Sequence, residues 1–505
     1  MPDPVVENPA EDRAGAPAEG PAEGPAEGAA EGAAEGPAGG AAEGPAEGPA
    51  EGPAEGPAEG AAEGAAEGPA EGAAERHTYD ALVIGGGPSG AACAYWLADA
   101  GWDVCVAERK HFPREKTCGD GLTPRAVRQL EDIGLGPSLA ASHHRYEGLR
   151  AMAGGMTLEM CWPEHTDYPG YGYVITRADL DAMVAERAAG VGATVLQGTE
   201  AVEPILGDGG AVQGAMVKRK AGAGAGLEAL RAHYVVVADG ANSRFGRALG
   251  ASREREWPMG LAIRGYYRSE RASEPWIESH LDLRDADGAA LPGYGWIFPL
   301  GDGRVNVGVG LLSTSKRGEA SKSVNTTRLM EAFVAGAPSS WGLSEDSSCG
   351  PPTGGKLPMG LAVGPRVGPR HVMVGDAAGS INPFNGEGIA YAYETGRMAA
   401  FAVGEALATG QPGALDGYER RLADNYGLYY KVARTFVRLI GYPELMATLV
   451  GTSMHSRTLM EWVLRIMANL LRADELGPAE AAYRAVVSIA RLAPPRLGLG
   501  AGAWA

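Results

Sequence analysis

The stretch Tyr79-Asp80-Ala81-Leu82-Val83-Ile84-Gly85-Gly86-Gly87-Pro88-Ser89-Gly90, followed by the Ala-rich run 91–100 and by Asp103-Val104-Cys105-Val106-Ala107-Glu108, decides the fold of this chain. Ala81 to Ile84 reads as a short buried strand, 91–100 has helical length, and 103–107 is a second strand that ends on an acid. Between the first strand and the helix lies G-x-G-x-x-G, and Glu108 stands 18 residues after its last glycine. In such a βαβ unit Gly85 permits the tight turn, Gly87 lets the backbone approach a pyrophosphate, and Gly90 lets helix and strand pack closely. The helix N-terminus at Ser89 then offers free N–H groups to phosphates, and Glu108, with Arg109 beside it, is placed to meet ribose hydroxyls. The unit is predicted to bind a dinucleotide.

A second strand end far downstream separates a flavin from a nicotinamide. His371-Val372-Met373-Val374-Gly375-Asp376 is a buried strand closing on an acid, with Pro383, Gly386, Glu387, Gly388 and Ile389 after it. Asp376 suits a ribityl hydroxyl, and a helix starting near Gly388 would put positive dipole at a flavin's pyrimidine edge. FAD is therefore the predicted cofactor. Between the two ends, 179–190 reads as a helix, 193–219 contains strands, and Tyr234–Ala238 is a buried strand ending at Asp239-Gly240. From about 255 to 315, aromatic and β-branched residues with turn signals predict an antiparallel sheet. The region from 418 onward reads as mostly helical, with stops near Pro443, Gly451, Pro478 and Pro494.

The fold class is thus α/β, a FAD-binding Rossmann-type domain with an inserted antiparallel β-sheet substrate domain and a C-terminal helical region. Its predicted division gives 77–150, 176–254 and 365–417 to FAD binding, 151–175 and 255–364 to the substrate domain, and 418–505 to the helices. Residues 1–76 are set apart as a tail. Within them 16–75 repeat PAEG or AAEG with nothing large and apolar to bury, which predicts disorder. The formal charge of the chain is −19, yet 1–75 hold 16 Glu and 2 Asp against Arg13 alone, so the remainder carries only −2. The folded part is nearly neutral.

Five cysteines, at 93, 105, 118, 161 and 349, show no CxxC pair and no His at metal-ligand spacing, which argues against a disulfide framework, a metal or an iron–sulfur cluster. The start lacks a basic n-region followed by an apolar h-region, and no apolar run reaches the ~18 residues of a membrane span. A cytoplasmic protein, peripheral on the inner face of the cell membrane, is expected, with no nucleic-acid partner. Residues 420–505 carry 11 Lys or Arg and 6 Asp or Glu, and 456–472 interleave Leu459, Met460, Trp462, Val463, Ile466 and Leu470 with Arg457, Arg465 and Arg472. Basic charge beside apolar surface suits anionic headgroups, and it equally suits a helical cap on a core.

Further motifs carry a resemblance. They are Lys116-Thr117-Cys118-Gly119-Asp120-Gly121, Val174-Ile175-Thr176-Arg177-Ala178-Asp179-Leu180, Asp239-Gly240-Ala241-Asn242-Ser243-Arg244, and Tyr294-Gly295-Trp296-Ile297-Phe298-Pro299 followed by Val307-Gly308-Val309-Gly310. Over roughly 78–410 the chain resembles the geranylgeranyl reductase family of FAD-dependent enzymes, within the larger group related to p-hydroxybenzoate hydroxylase. The resemblance implies FAD contacts from Gly85, Gly87, Gly90, Glu108, Cys118, Gly119, Gly121, Arg177, Asp376, Gly388 and Ile389. It also implies that the YxWxFP aromatics line an isoprenoid site near the flavin. Archaeal lipid reductases usually carry CGGG where this chain has Cys118-Gly119-Asp120-Gly121, and 118–127 more closely resembles actinobacterial menaquinone reductases.

The implied activity is FAD-dependent saturation of a C=C bond in a polyprenyl chain, first of all the isoprenyl tail of menaquinone, or else a geranylgeranyl lipid or diphosphate. Cys118, Tyr294 and Trp296 are the candidate catalytic residues. Cys118 stands as a proton donor, a backbone contact to flavin or a small packed residue, while Tyr294 and Trp296 alternate onto one strand face as a substrate wall or as plain core. Electrons would come from NAD(P)H, for whose phosphate Arg244 and Arg247 are candidates, or from another external reductant. The competing readings are a flavin-dependent aromatic hydroxylase or halogenase, for which YxWxFP replaces the halogenase WxWxIP, and a lipid-associated flavin-binding or scaffold protein.

Overall fold

The computed structural model describes residues 77–219, 226–285, 288–313, 325–440, 443–472 and 477–492. The repeat tail 1–76, Pro494 and the rest of the C-terminus lie outside the described residues. Along the chain, β1 (Thr78–Ile84) leads into α1 (Pro88–Asp99) and returns as β2 (Val104–Glu108), followed by the short helix α2 (Pro124–Asp132). The chain leaves to lay down β3 (Gly148–Ala153) and β4 (Met156–Cys161), then re-enters through α3 (Arg177–Gly190), β5 (Thr194–Gln197) and β6 (Leu227–Val237). It crosses again for β7 (Met259–Arg268), β8 (Trp276–His280), β9 (Gly293–Pro299), β10 (Arg304–Leu312), α4 (Thr326–Gly336) and β11 (Thr353–Pro358). It returns with β12 (His371–Met373) and α5 (Ile389–Thr409), and ends in α6 (Leu428–Ile440), α7 (Pro443–Met454), α8 (Arg457–Met467) and α9 (Pro478–Leu492).

Two large sheets result. In the first, β12-β6-β1-β2-β5 run parallel, and the residues of β2 and the second half of β1 are buried, as continuous apolar runs in a parallel sheet require. Helices α1 and α5 lie together on one side of it. A Cβ at Gly396 would stand 2.3 Å from the Ser89 carbonyl, so glycine is what lets these helices touch. The second sheet runs β11-β7-β10-β9-β8-β3-β4. It is antiparallel except between β8 and β3, because the earlier excursion of the chain completes a sheet begun later in sequence.

The faces of β9 and β10 divide by residue size. Ile297, Val305, Val307 and Val309 point to a core closed by Leu329, Met330 and Phe333 of α4. The opposite face carries Tyr294, Trp296 and Phe298, and the register sets Gly310 against Tyr294 and Gly308 against Trp296. Those glycines leave room for the rings; a Cβ at Gly308 would lie 2.2 Å from Cζ2 of Trp296.

One expectation about the C-terminal helices changes. The expected breaks near Pro443 and Pro478 are present, since α6 ends at Ile440 and α8 at Met467 and each proline opens the next helix, where it forfeits no intrahelical bond, but Gly451 lies inside α7. In α8, Met460 and Leu464 are buried in a core with Tyr146, Ala151, Met160 and Trp162. This side of α8 packs on the second sheet as a core cap, while Leu459, Trp462 and Val463 stay half-buried. Among the described residues no helix is long and apolar enough to cross a membrane.

Candidate flavin and substrate site

At the nucleotide end, the geometry follows from missing side chains. Gly85 has φ +100°, and a Cβ there would stand 2.5 Å from the Ala238 carbonyl; at Gly90 it would stand 1.9 Å from the Gly85 carbonyl. Gly87 is the extended N-cap of α1 with no side-chain cap, and a Cβ on it would meet only Arg114 Nη2 at 3.6 Å. The first N–H groups of α1 therefore face open space beside a cation. Glu108 is buried at the end of β2, where its Oε2 accepts from Gly86 N (2.9 Å) and its Oε1 from Lys110 N (2.9 Å). Arg109, next along, is exposed.

A line of charges runs from there toward Cys118. Arg114 reaches Glu108 at 3.4 Å and Asp181 at 2.8 Å, and the same Asp181 takes two bonds of 2.8 Å from the buried Arg177. Arg177 in turn lies beside the Cys118 thiol, opposing the upward push that burial gives that thiol's pKa. The net shift is still upward, so Cys118 is a thiol rather than a thiolate near neutrality.

The second strand end meets the first directly. A Cβ on Gly375 (φ +59°) would stand 2.4 Å from Ser89 Oγ, so Ser89 packs on the Gly375 turn. Asp376 follows, with Oδ2 3.4 Å from Lys116 Nζ, and Oδ1 would be 3.7 Å from a Cβ on Gly388. Gly388 caps α5 without any side-chain bond, and Ile389 opens that helix, leaving its N–H groups to face outward from the Asp376 side.

Between these two ends lies the Cys118 loop, packed on the aromatic face of β9. A Cβ on Gly119 would meet Phe298 at 3.2 Å and Trp296 Nε1 at 3.4 Å, and one on Gly121 would meet Phe298 at 3.1 Å. Trp296 is buried, with its ring 6.0 Å from Tyr294 and 6.2 Å from Phe298. Its indole N–H donates to Asn306 Oδ1 (2.9 Å), and Asn306 Nδ2 donates to the Cys118 carbonyl (2.9 Å) and to Asp120 Oδ2 (2.7 Å). Tyr266, paired with Asn306 across β7 and β10, donates to the same Asp120 oxygen at 2.5 Å. Asp120 is fully buried at φ +65°, and burial raises its carboxyl to about 6 despite these bonds and the nearby Arg264. Tyr294 donates to the Asn385 carbonyl at 2.6 Å, and burial pushes its phenol up to about 12.

The structure therefore gathers Gly85, Gly87, Ser89, Gly90 and Glu108 with Asp376, Gly388 and Ile389, and sets Cys118, Gly119, Gly121, Arg177, Tyr294 and Trp296 alongside; Arg109 stays at the rim. Sequence reasoning missed Arg114, Asp181, Tyr266 and Asn306, and gave no role to Asp120, Glu387 or Thr123. An acid inside a glycine run was the one available signal. The arrangement fits FAD: two uncapped helix N-termini, an acid beside each, and main chain kept bare by packing that no Cβ could enter.

A fold with those two strand ends and this site defines a FAD-dependent oxidoreductase. Residues 78–264 match the FAD binding domain family. The chain is 40% identical over 417 residues to menaquinone reductase of Mycobacterium tuberculosis, covering 83% of this chain and 97% of that one. To digeranylgeranylglycerophospholipid reductase 1 of Methanopyrus kandleri it is 31% identical over 380 residues, 73% of this chain and 91% of the relative. A solved geranylgeranyl bacteriochlorophyll reductase-like protein from Thermoplasma acidophilum superimposes with a TM-score of 0.64 at 21% identity, covering 81% of this chain and all of the other. A flavin-dependent brominase does so at 0.63 and 21%, covering 82% and 99%. These two likenesses speak to the fold alone. The chain belongs to the geranylgeranyl reductase family of FAD-dependent oxidoreductases, with the mycobacterial menaquinone reductases among its relatives.

Proposed function

We propose that this chain saturates one C=C bond in the isoprenyl tail of menaquinone. The observation that carries this reading is the 40% identity extending over 97% of the Mycobacterium tuberculosis menaquinone reductase. Bound, reduced FAD supplies hydride chemistry. An isolated alkene has no carbonyl to absorb charge, so the protein must align it closely, keep water away and deliver a proton to the neighbouring carbon.

The Tyr294, Trp296 and Phe298 row supports that task, because it spans from the Cys118 loop to the Asn385 loop beside the α5 N-terminus. In our reading Trp296 and Tyr294 form the alkene wall, Asn306 fixes the Trp296 ring, and Cys118 presents its loop to the flavin. Reducing equivalents come from NAD(P)H or another external donor. Exposed Leu428 and Leu449 near the basic C-terminal helices support a peripheral encounter with the membrane that holds such a lipid.

Mass spectrometry of quinones from cells with and without the gene tests the proposal. A gain of two hydrogens confined to menaquinone is expected; unchanged quinones with altered polar lipids would move the substrate to geranylgeranyl lipids. The hydroxylase or halogenase reading, which the brominase-like fold keeps in view, predicts O₂ consumed in proportion to product, whereas the reductase works best without O₂.

A further inference from the structure

Glu387 is half-buried in the loop between Pro383 and the Gly388 cap. The loop is locked on both sides of it: Glu387 N donates to Asn385 Oδ1 (3.0 Å), and the Glu387 carbonyl accepts from Asn382 N (2.9 Å). Of the two carboxyl oxygens, Oε1 accepts from Thr123 Oγ1, while Oε2 is buried without a hydrogen-bond partner. An ionised carboxylate with one oxygen so placed bears a desolvation cost, and a proton on that oxygen removes most of it.

Thr123, Arg125 and Asn385 relieve that charge only in part. Arg125, whose charge favours ionising Glu387, spends Nη2 on both oxygens of Glu394 (2.7 and 2.8 Å) and Nη1 on the Asn469 carbonyl (3.0 Å). Glu394 adds like charge, which opposes ionising Glu387, and Tyr168 lies with its ring under Arg125. Three surrounding phenols donate elsewhere, Tyr146 to Leu122 O (3.1 Å), Tyr429 to Ile466 O (2.9 Å) and Tyr430 to Ser380 O (2.5 Å), while Tyr391 accepts from Asn382 Nδ2 (3.1 Å). Tyr294, the start of the aromatic row, is tied to the Asn385 carbonyl two residues before Glu387.

From the unpartnered Oε2 and its place beside the aromatic row, we infer that Glu387 is the catalytic acid that protonates the alkene. This rests on the C=C reductase reading. At one alkene carbon a hydrogen arrives with two electrons from the reduced cofactor; at the other, Glu387 Oε2 delivers its proton. The O–H and C=C π bonds break, two C–H bonds form, the cofactor ends oxidised, and the glutamate is left ionised until solvent reprotonates it. An external two-electron donor of the nicotinamide class restores the cofactor. Burial, opposed by Thr123 and Arg125, holds the Glu387 carboxyl at about 7, where a general acid works best near neutral pH, whereas the Cys118 thiol is pushed up and gives its proton less readily.

Glu387→Gln keeps the shape and removes the proton. It is expected to bind FAD with an unchanged visible spectrum and to lose menaquinone reduction by about 100-fold or more. A second readout needs no turnover. Because the folded Glu387 holds its proton above the usual carboxylate range, its contribution to wild-type stability falls as pH rises from about 4.5 to about 7, and the Gln variant, compared with wild type in the same FAD-bound state, should show a shallower fall. Glu387→Asp, which withdraws the acid by one methylene, should lose about 10-fold if the acid must touch the alkene. Full turnover by E387Q or E387D, or pH profiles of unfolding identical to wild type, overturns the assignment. A wild-type enzyme that reduces no isoprenoid alkene overturns the function reading instead, and the unfolding comparison still decides whether Glu387 holds its proton.

Discussion

The two ends of this site are built from opposite materials. Around Gly85, Gly87 and Gly90 the structure offers bare main chain, and at Gly85 and Gly90 the packing leaves no room for a Cβ. Around Cys118 the structure offers a web of side chains drawn from β7, β9 and β10, and two buried carboxyls each keep one oxygen without a partner, Asp120 Oδ1 and Glu387 Oε2. Native interiors seldom leave such atoms, and where they do, function is a common reason. The nucleotide end is thus a matter of shape, suited to holding a constant group, while the reacting end holds protons in reserve.

The largest effect should come from breaking the shape. Gly90→Val puts side-chain atoms where even a Cβ would be 1.9 Å from the Gly85 carbonyl. The helix must move off the strand, and with it the N–H groups meant for the phosphates. We expect purified protein with less than about one-tenth of the normal FAD and a loss of about 3 kcal/mol or more, read from flavin absorbance and denaturant unfolding. Normal flavin content in this variant would mean that the glycine turn is incidental.

A middle-sized effect separates packing from chemistry at the other end. Leu464 on α8 is buried with Tyr146, Met160 and Trp162, and Phe298 packs against that cluster. Leu464→Ala should cost about 3 kcal/mol by leaving a cavity, with FAD content intact. It should also leave binding to anionic vesicles unchanged, because Leu464 is already spent on the second sheet. A variant as stable as wild type but released from vesicles would restore Leu464 to the membrane.

This contrast also explains what was legible in the sequence. The glycine turn, β1, β2 and the acid of Glu108 lie within one contiguous segment governed by local sterics, so they could be read directly. The aromatic alternation of Tyr294, Trp296 and Phe298 was visible for the same reason. Its polar support was not: Asn306 reaches Asp120 across 186 residues, and only the register that sets Asn306 opposite both Tyr266 and Phe298 brings them together. Pro443 and Pro478 marked helix boundaries because proline cannot continue a helix, whereas Gly451 misled because glycine inside a helix costs only about 1 kcal/mol and α7 absorbs it. In 456–472 the periodicity gave a helix with an apolar stripe but no indication of what would cover it.

The smallest expected effect probes that hidden support. Asp120 sits in the left-handed region, which Asn and Gly also tolerate, so backbone strain is not the variable. Asp120→Asn keeps an acceptor for Tyr266 and Asn306 and should cost about 1 kcal/mol at pH 4, whereas Asp120→Gly strands both donors and should cost about 2 kcal/mol. The pH dependence then isolates the charge. With the folded carboxyl raised from 3.8 to about 6, the native state binds more proton than the unfolded chain in that window, and wild-type stability falls as pH rises through it. The asparagine chain lacks that loss, so its deficit should narrow between about pH 4 and pH 7. A deficit that widens instead would mean that the Tyr266 and Asn306 bonds hold Asp120 as a carboxylate, and that the reacting end is anchored by a fixed negative charge beneath Cys118.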